Sequence, residues 1–538
     1  MSKSYRPKYH ACVPAGWCND PNGTIYFNGK YHLFYQHYPH EIQWGTMHWY
    51  HMQSEDFVKW ESLPLALAPD QDYEIICGCC SGTAIEIDGK MVLIYTAAQP
   101  ELQRQCLAVA EDGIHFTKLS RNPILTADML HPEVSMRDFR DPKIFRKNGY
   151  YYVLAGARIL RAGEEMSDVK STEALLDDVT KENQLEEITE ITAEEPPFFN
   201  ISNTPQVVNV SSNPVDYDRA YGNMILFRTK DLVNWEYCGH LIHKQAELDP
   251  EYFTLNGVYE CPDYFVIDGK EIILASPQNL PPMGHMYQNQ HSGVYMVGKL
   301  NFKNGRFPIE HIEEVDGGFD FYAAQSWKAT DGRQVMVAWK EMWDREFPTR
   351  PEGWAGTYTF PRELSYKNNH LYQNPVRELQ RYWGNEVRKD FVALDNESKA
   401  VEGVCGNVIE LKATITSIDA PVVGLKLFKG PEHETVIRYF VDKRMVEFDR
   451  TNSGIDLGGV EPQKYTRQCD MDDFGDAKTI SFDVLLDVSS AEVFINGGRY
   501  AMTGNVYADL DQDLGIEFFA EGGRAEVKDI VKYDIIVD

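Results

Sequence analysis

The chain has 538 residues, enough for two or three domains. Its 82 acidic residues outnumber its 52 basic residues, which gives a formal net charge of −30. This balance argues against binding to nucleic acid or to an anionic membrane surface, because both need a basic footprint. With 43% hydrophobic and 25% charged residues, the composition is typical of a globular protein and not of a disordered one.

The first eight residues contain no apolar segment, so we expect no signal peptide. No run of 18 apolar residues occurs, so no transmembrane helix and no membrane partner are predicted. The chain is expected to be cytoplasmic, with its ten cysteines reduced. The cluster CGCC at 77–80 has no second CxxC or paired histidines at zinc spacing, and we interpret it as buried structural thiols. No metal and no cofactor are expected.

A repeated turn motif is the most informative pattern in the first 365 residues. Asn-Gly or Asp-Gly precedes an apolar strand five times, and the five glycines are 60, 60, 120 and 63 residues apart. These dipeptides favour two-residue hairpin turns, because both central residues need a positive φ. The turns begin at Asn28, Asp88, Asn148, Asp268 and Asp331. Hairpins at a fixed period predict a five-bladed β-propeller over 1–365.

The long interval between the third and fourth motifs contains an acidic segment. Residues 161–200 carry 12 acidic and 3 basic residues and no copy of the motif. We interpret 161–220 as an insertion in the propeller that forms a solvent-exposed segment on the protein surface. The alternative is a lid or rim that contacts substrate or a neighbouring subunit.

The pattern changes after residue 365. Asn374-Pro375 is a cap-capable residue followed by proline, which predicts a short helix in a linker over 366–385. Residues 386–538 contain some ten segments with period-two alternation, which favours an antiparallel β-sandwich. The predicted fold class is therefore all-β, a five-bladed β-propeller followed by an antiparallel β-sandwich.

Three carboxylates occupy nearly the same position in three predicted blades. Asp20 and Glu260 lie 9 residues before the glycine of their turns, and Asp141 lies 8 before its own. We expect them to converge at one end of the central channel. Such a cluster suits glycoside chemistry, in which one carboxylate attacks, a second carries a proton with a raised pKa, and a third binds hydroxyls. The alternative is a calcium site, since calcium prefers oxygen ligands.

The segments around these carboxylates carry a family resemblance. The segment WCNDPNG at 17–23 resembles the WMNDPNG signature of glycoside hydrolase family 32, which contains invertases, inulinases and levanases. FRDP at 139–142 resembles the RDP motif of that family, and ECPD at 260–263 resembles its EC motif. Further similar segments follow in family order between residues 10 and 365, and the predicted C-terminal sandwich also fits.

The resemblance implies a role for each carboxylate. Asp20 would attack the anomeric C2 of a terminal β-fructofuranosyl unit, and Glu260 would be the general acid and then the base. Asp141 would hold fructose hydroxyls and stabilise the oxocarbenium-like transition state. The outcome would be retention, which needs the Asp20 and Glu260 carboxyls about 5–5.5 Å apart.

The resemblance also implies a fructose subsite. Its residues would be Asn19, Gln36, Trp44, Ser81 and Arg140, with Tyr322 and Trp339 as looser candidates. Arg140 could instead form a structural ion pair that orients its neighbour, and Trp44 could belong to the core. Two departures from the family are Cys18 in place of Met and Cys80 where Phe often precedes Ser-Gly.

The main hypothesis is an exo-acting β-fructofuranosidase that cleaves fructose from sucrose or short fructo-oligosaccharides. Within the family, the alternatives are a sucrose-6-phosphate hydrolase, which needs a cationic phosphate pocket, an exo-inulinase or levanase, and a transfructosylase. The alternative of a different class is a non-catalytic fructan-binding protein. The expected partner is a small carbohydrate, and homo-oligomerisation is left open.

Overall fold

A computed structural model describes residues 4–99, 102–160, 220–243, 257–458, 465–472 and 475–537. The predicted all-β class is confirmed: the described residues form strands and three short 3-10 turns, Ala127–Met129, Arg350–Glu352 and Arg377–Tyr382. Residues 161–219 of the predicted acidic insertion lie outside this description. No helix among the described residues is long and apolar enough to cross a membrane.

Five antiparallel sheets of about four strands each occupy the first two-thirds of the chain. The first sheet contains β1 (Gly16–Phe27), β2 (Lys30–Tyr38), β3 (His48–Ser54) and β4 (Trp60–Leu67). The second contains β5 (Gly78–Ile87), β6 (Lys90–Gln99), β7 (Leu102–Ala110) and β8 (Thr117–Lys118). The third contains β9 (Val134–Lys147), β10 (Tyr150–Leu160), β11 (Ala220–Thr229) and β12 (Glu236–His240). The fourth contains β13 (Tyr259–Ile267), β14 (Lys270–Pro277), β15 (Val294–Gly298) and β16 (Ile309–Glu314).

The fifth sheet returns the chain to its beginning. It contains β17 (Tyr322–Lys328), β18 (Gln334–Trp339), β20 (Arg362–Lys367) and β21 (His370–Pro375). Between them, β19 (Trp354–Ala355) joins the first sheet by pairing in parallel with β1. The leading strands of the five sheets contact one another in a closed order, β1 to β5, β9, β13, β17 and back to β1. Residues at corresponding positions of these strands therefore face a common centre.

Four of the five turn motifs form the predicted hairpins. Each connects the first two strands of its sheet, and both turn residues have φ between 47° and 85°, as a type I′ turn requires. The prediction is wrong for the fifth motif. Its strands end at Lys328 and resume at Gln334, and only Gly332 has a positive φ. The reason is local: the carboxylate of Asp331 accepts hydrogen bonds from the backbone and guanidinium of Arg333, which supports a longer loop.

Two six-stranded antiparallel sheets follow and share one hydrophobic core. One contains β22 (Trp383–Asp395), β24 (Ile409–Thr416), β29 (Ile480–Asp487), β30 (Ser490–Ile495), β31 (Tyr500–Asn505) and β33 (Arg524–Ile535). The other contains β23 (Ser398–Cys405), β25 (Val422–Lys429), β26 (Glu434–Phe440), β27 (Met445–Asn452), β28 (Thr466–Asp470) and β32 (Gly515–Glu521).

The short helix lies later than predicted. Asn374 and Pro375 end β21, where Asn374 pairs with Glu363 of β20, and the 3-10 turn begins only at Arg377. Sheet pairing therefore overrides the Asn-Pro start signal. As a result, the segment predicted as a linker from 366 contains the last strand of the fifth sheet.

A buried ion-pair network joins the two halves of the chain. The guanidinium of Arg362, in β20, lies 2.9 Å from Asp316 and 2.5 Å from Glu492 of β30, and all three side chains are fully buried. Burial raises the pKa of Glu492, but Arg362 and His10 outweigh this effect and hold the pKa at about 2.

Arg362→Met is expected to lower the free energy of unfolding by about 3–5 kcal/mol at pH 7, because it removes the guanidinium that pairs with two buried carboxylates. The folded-state pKa of Glu492 lies below its ordinary value of 4.5. The stability that this pair contributes is therefore present above pH 4.5 and lost as the pH falls toward 2. Thermal unfolding from pH 7 to pH 3 measures both effects. Arg388→Met, which breaks an exposed pair with Glu386, is the control and should leave the melting temperature unchanged.

Candidate active site

Each of the five leading strands is interrupted by an irregularity in its pairing register. The interruptions lie between Cys18 and Pro21, Cys80 and Gly82, Arg140 and Lys143, Glu260 and Asp263, and Tyr322 and Gln325. Bulges of this kind turn side chains away from the alternation of a regular strand. Asp141, Cys261 and Ala323 adopt φ values of 60°, 48° and 55° there, a backbone conformation that non-glycine residues adopt only when the surrounding structure enforces it.

The interruptions bring the three candidate carboxylates to one cavity. Its lining residues are Asn19, Asp20, Gln36, Trp44, Cys77, Cys80, Ala98, Gln103, Arg140, Asp141, Glu260 and Trp343. The three carboxylates come from β1, β9 and β13, which belong to three different sheets. The convergence that the register predicted is therefore present.

Four side chains donate hydrogen bonds to the carboxylate of Asp20. Asn19 Nδ2 lies 3.1 Å from Oδ1, while Gln36 Nε2 and Ser81 Oγ lie 2.9 and 2.6 Å from Oδ2. The thiol of Cys261 lies 3.4 Å from the same Oδ2. These donors hold the carboxylate in one orientation and favour its ionised form.

Cys261 also connects Asp20 to the second carboxylate. Its backbone N–H donates to Asp141 Oδ2 at 3.0 Å, while its thiol faces Asp20. The backbone N–H of Asp141 donates in turn to Thr96 Oγ1 at 2.9 Å. One residue thus couples the positions of two carboxylates, and Glu260, the third, is its neighbour in the chain.

The carboxylates raise one another's proton affinity. Burial raises the pKa of Asp20, and the charge of Glu260 raises it further. Burial and Glu260 also raise the pKa of Asp141, to about 7, against the opposing charge of Arg140. The cluster therefore carries less than its full formal charge near neutral pH.

Glu260 is held by a guanidinium and a phenol. Arg140 donates from Nε and Nη2 to Oε1 at 3.0 and 2.9 Å, and Tyr322 donates to Oε2. Arg140 also pairs with Asp138 at 2.8 Å. The ion pair that was the alternative for Arg140 is thus present, in addition to its place in the cavity wall. A guanidinium on the cluster also opposes the calcium alternative, because it repels a cation.

The remaining candidates divide into two groups. Asn19, Gln36, Trp44 and Arg140 line the cavity, whereas Ser81 and Tyr322 act through a carboxylate. The expectation that Trp339 lies in the subsite is not met. Trp339 is fully buried behind the wall and packs with its ring centroid 4.9 Å from that of Trp343, which does line the cavity.

The sequence reasoning missed Trp343, Gln103 and Cys77 as cavity residues. Trp343 follows the fifth turn motif by 11 residues and belongs to none of the segments that resemble the family motifs. Its ring lies 5.9 Å from that of Trp17, so the first residue of the 17–23 segment packs near it. With Trp44, it gives the cavity two indole surfaces suited to stacking on a sugar face.

Ser81→Ala is expected to raise the pKa of Asp20 further, since it removes a charge-assisted hydrogen bond of about 1.5–3 kcal/mol. The acidic limb of the pH profile of kcat/KM should then move up by about 1–2 pH units. Ser62→Ala, at an exposed position on β4, is the matched control. An unchanged acidic limb in Ser81→Ala would show that this hydrogen bond does not tune the titrating group.

Comparison with known proteins gives matches along nearly the whole chain. The family model "Glycosyl hydrolases family 32 N-terminal domain" matches residues 10–224 and 215–375, and "Glycosyl hydrolases family 32 C terminal" matches 378–534. A sucrose-6-phosphate hydrolase of Zymomonas mobilis is 30% identical over 97% of this chain and 91% of its own. A raffinose invertase of Escherichia coli is 30% identical over 98% and 94%. Among solved structures, a Bombyx mori GH32 β-fructofuranosidase has a TM-score of 0.73 and 27% identity, covering 99% of this chain and 94% of its own.

Proposed function

The chain belongs to glycoside hydrolase family 32, and we propose that it releases terminal β-D-fructofuranosyl units from sucrose or short fructo-oligosaccharides with retention. It is a glycoside hydrolase of the β-fructofuranosidase type. The observation that carries the proposed mechanism is the convergence of Asp20, Asp141 and Glu260, from three separate sheets, on one cavity.

Asp20 is the proposed nucleophile. Its carboxylate is held in one orientation by four hydrogen-bond donors, so one oxygen can face the anomeric carbon. Attack at C2 of the fructosyl unit forms the C2–O bond to Asp20 as the bond to the leaving oxygen breaks. Water then attacks C2, the ester to Asp20 breaks, and the configuration at C2 is restored.

Glu260 is the proposed acid and base. It gives a proton to the leaving oxygen in the first step and takes one from water in the second. Arg140 donates to one oxygen of Glu260 and Tyr322 donates to the other, so the carboxyl group cannot rotate freely. Asp141, anchored by the N–H of Cys261, is proposed to bind fructose hydroxyls and to balance positive charge at C2 in the transition state.

The charges in the cavity wall favour a neutral leaving group over a phosphorylated one. Among the described residues that line the cavity, Arg140 is the only Lys or Arg side chain, and it is already paired with Glu260 and Asp138. A substrate phosphate would therefore need a cationic partner outside the described residues that line the cavity. Sucrose 6-phosphate is the second candidate substrate, because relatives such as the one from Zymomonas mobilis are named sucrose-6-phosphate hydrolases.

We also propose the finer architecture. The closed order of contacts among β1, β5, β9, β13 and β17 supports a five-bladed propeller that ends near 375, and the shared core of the last two sheets supports a β-sandwich. All ten cysteines are free thiols, which favours a reducing compartment such as the cytoplasm.

A substrate panel tests the proposal. Sucrose, its 6-phosphate, kestose, inulin and levan are incubated with the enzyme, and free fructose is measured over time. We expect sucrose or kestose to give the highest kcat/KM, and NMR of the first product formed should show β-fructofuranose, as retention requires. Strong preference for the 6-phosphate would support the second candidate. Products that lengthen at high sucrose would indicate transfer, and binding of fructan with no release of fructose would reject catalysis.

A further inference from the structure

A cluster of two histidines and a glutamate, none of which lines the cavity, lies between the fourth and fifth sheets. His311 and Glu313 project from β16, the last strand of the sheet whose first strand carries Glu260. His370 opens β21 of the next sheet. The strand alternation puts residues i and i+2 on one face, so His311 and Glu313 both turn toward His370.

The three side chains present their ligand atoms to a common point. Glu313 Oε2 lies 3.4 Å from His311 Nε2 and 3.2 Å from His370 Nδ1. All three ligand atoms lie within 4.8 Å of one another. Zinc bonds of about 2.0–2.1 Å in a tetrahedron place neighbouring ligand atoms about 3.3–3.4 Å apart. Two of the three ligand separations therefore already match a zinc site.

The surrounding groups orient these ligands. Asp472 Oδ2 lies 3.5 Å from His370 Nε2, where it can accept the proton of that nitrogen when a metal binds Nδ1. Arg499 lies 2.8 Å from Glu313 Oε1 and 3.1 Å from Asp472, so it holds the oxygen of Glu313 that does not face the histidines. Tyr295 also donates to Glu313 Oε2, which retains a second lone pair.

Charge and exposure both suit a cation. Two carboxylates and one guanidinium leave a formal charge of −1 before any ion binds. The side chains of His311, Glu313 and His370 remain 32%, 22% and 24% exposed, which provides an entry path and space for water as a fourth ligand.

We propose that His311, Glu313 and His370 bind a structural Zn²⁺ ion. Two imidazoles and one carboxylate are a donor set that zinc favours over calcium or magnesium. The ion would connect the fourth and fifth sheets directly. Through Asp472 and Arg499 it would also reach the six-stranded sheets, so it would stabilise the junction between the two halves of the chain.

Zinc retention by the full-length protein, purified without a polyhistidine tag, tests the site. We expect one equivalent of zinc per chain after desalting, and an increase in melting temperature with Zn²⁺ that EDTA reverses. The Co²⁺-substituted protein should show the intense visible bands of four-coordinate cobalt. Retention of no zinc by wild-type protein even after incubation with zinc, or the weak spectrum of six-coordinate cobalt, would overturn the proposal.

Single variants locate the ion. His311→Gln and His370→Gln should each lower the affinity for zinc by at least about 100-fold, and Asp472→Asn by about 10–100-fold. His285→Gln is the matched control, because His285 pairs with Asp470 outside the cluster. Undiminished sucrose cleavage by the variants would show that they are folded, since none of these residues lines the cavity. Equal zinc retention by the control and both ligand variants would also reject the site.

Discussion

Replacing Asp20 with Asn is expected to reduce kcat for sucrose by about 10⁴–10⁶-fold, because the amide cannot form the covalent fructosyl intermediate. Asn has nearly the size of Asp and can still accept hydrogen bonds from Gln36 and Ser81 through its carbonyl oxygen. The loss should therefore fall on kcat and leave binding largely intact. Removing a buried carboxyl whose pKa is raised should also leave stability unchanged or increase it near neutral pH.

Steady-state release of fructose, combined with thermal unfolding, measures these effects. Asp390→Asn makes the same chemical change at an exposed position on β22 and should retain full activity. Asp20→Asn with a kcat within tenfold of the wild-type value would exclude Asp20 as the nucleophile.

The turns show how far local sequence patterns predict this fold. Four Asn-Gly or Asp-Gly pairs form the expected hairpins, because a type I′ turn depends almost entirely on the two residues in it. The fifth pair fails because the side chain of Asp331 binds the backbone of Arg333, a competing local interaction. The Asn-Pro pair at 374–375 fails for a different reason, since pairing with β20 extends the strand through it.

The sequence predicted those site residues that lie at a nearly fixed distance before the glycine of a hairpin turn. Asp20, Asp141 and Cys261 each precede a proline, and proline within a strand is tolerated at bulges, so the bulges themselves carried a sequence signal. That signal indicates where side chains leave the regular alternation.

Contacts between distant segments had no such signal. Trp339 packs against both Trp17 and Trp343. Of these neighbouring indoles, Trp343 lines the cavity and Trp339 does not. Likewise, His311 and His370 are 59 residues apart and on different sheets, so no ligand spacing in the sequence could reveal their proximity. Both features depend on tertiary packing, which periodicity alone does not specify.

Glu260→Gln is the complementary test, because the loss should depend on the leaving group. For sucrose, whose leaving oxygen needs a proton, kcat/KM should fall by about 10²–10⁴-fold. An aryl β-fructofuranoside with an acidic phenol needs little protonation, so formation of its fructosyl-enzyme should be nearly unaffected. Hydrolysis of that intermediate should remain slow, and a rapid burst of phenol followed by a slow steady state is expected.

Azide separates this role from a merely structural one. In Glu260→Ala, a small anion can occupy the vacated space and attack C2 without a base, so azide should accelerate turnover of the aryl substrate and yield β-fructosyl azide. Asp20→Asn should show neither the burst nor the rescue, because it forms no intermediate. Glu310→Gln, at an exposed position on β16, is the control for the charge change. Equal losses for sucrose and the aryl substrate, without a burst, would mean that Glu260 positions Arg140 and Tyr322 and does not transfer the proton.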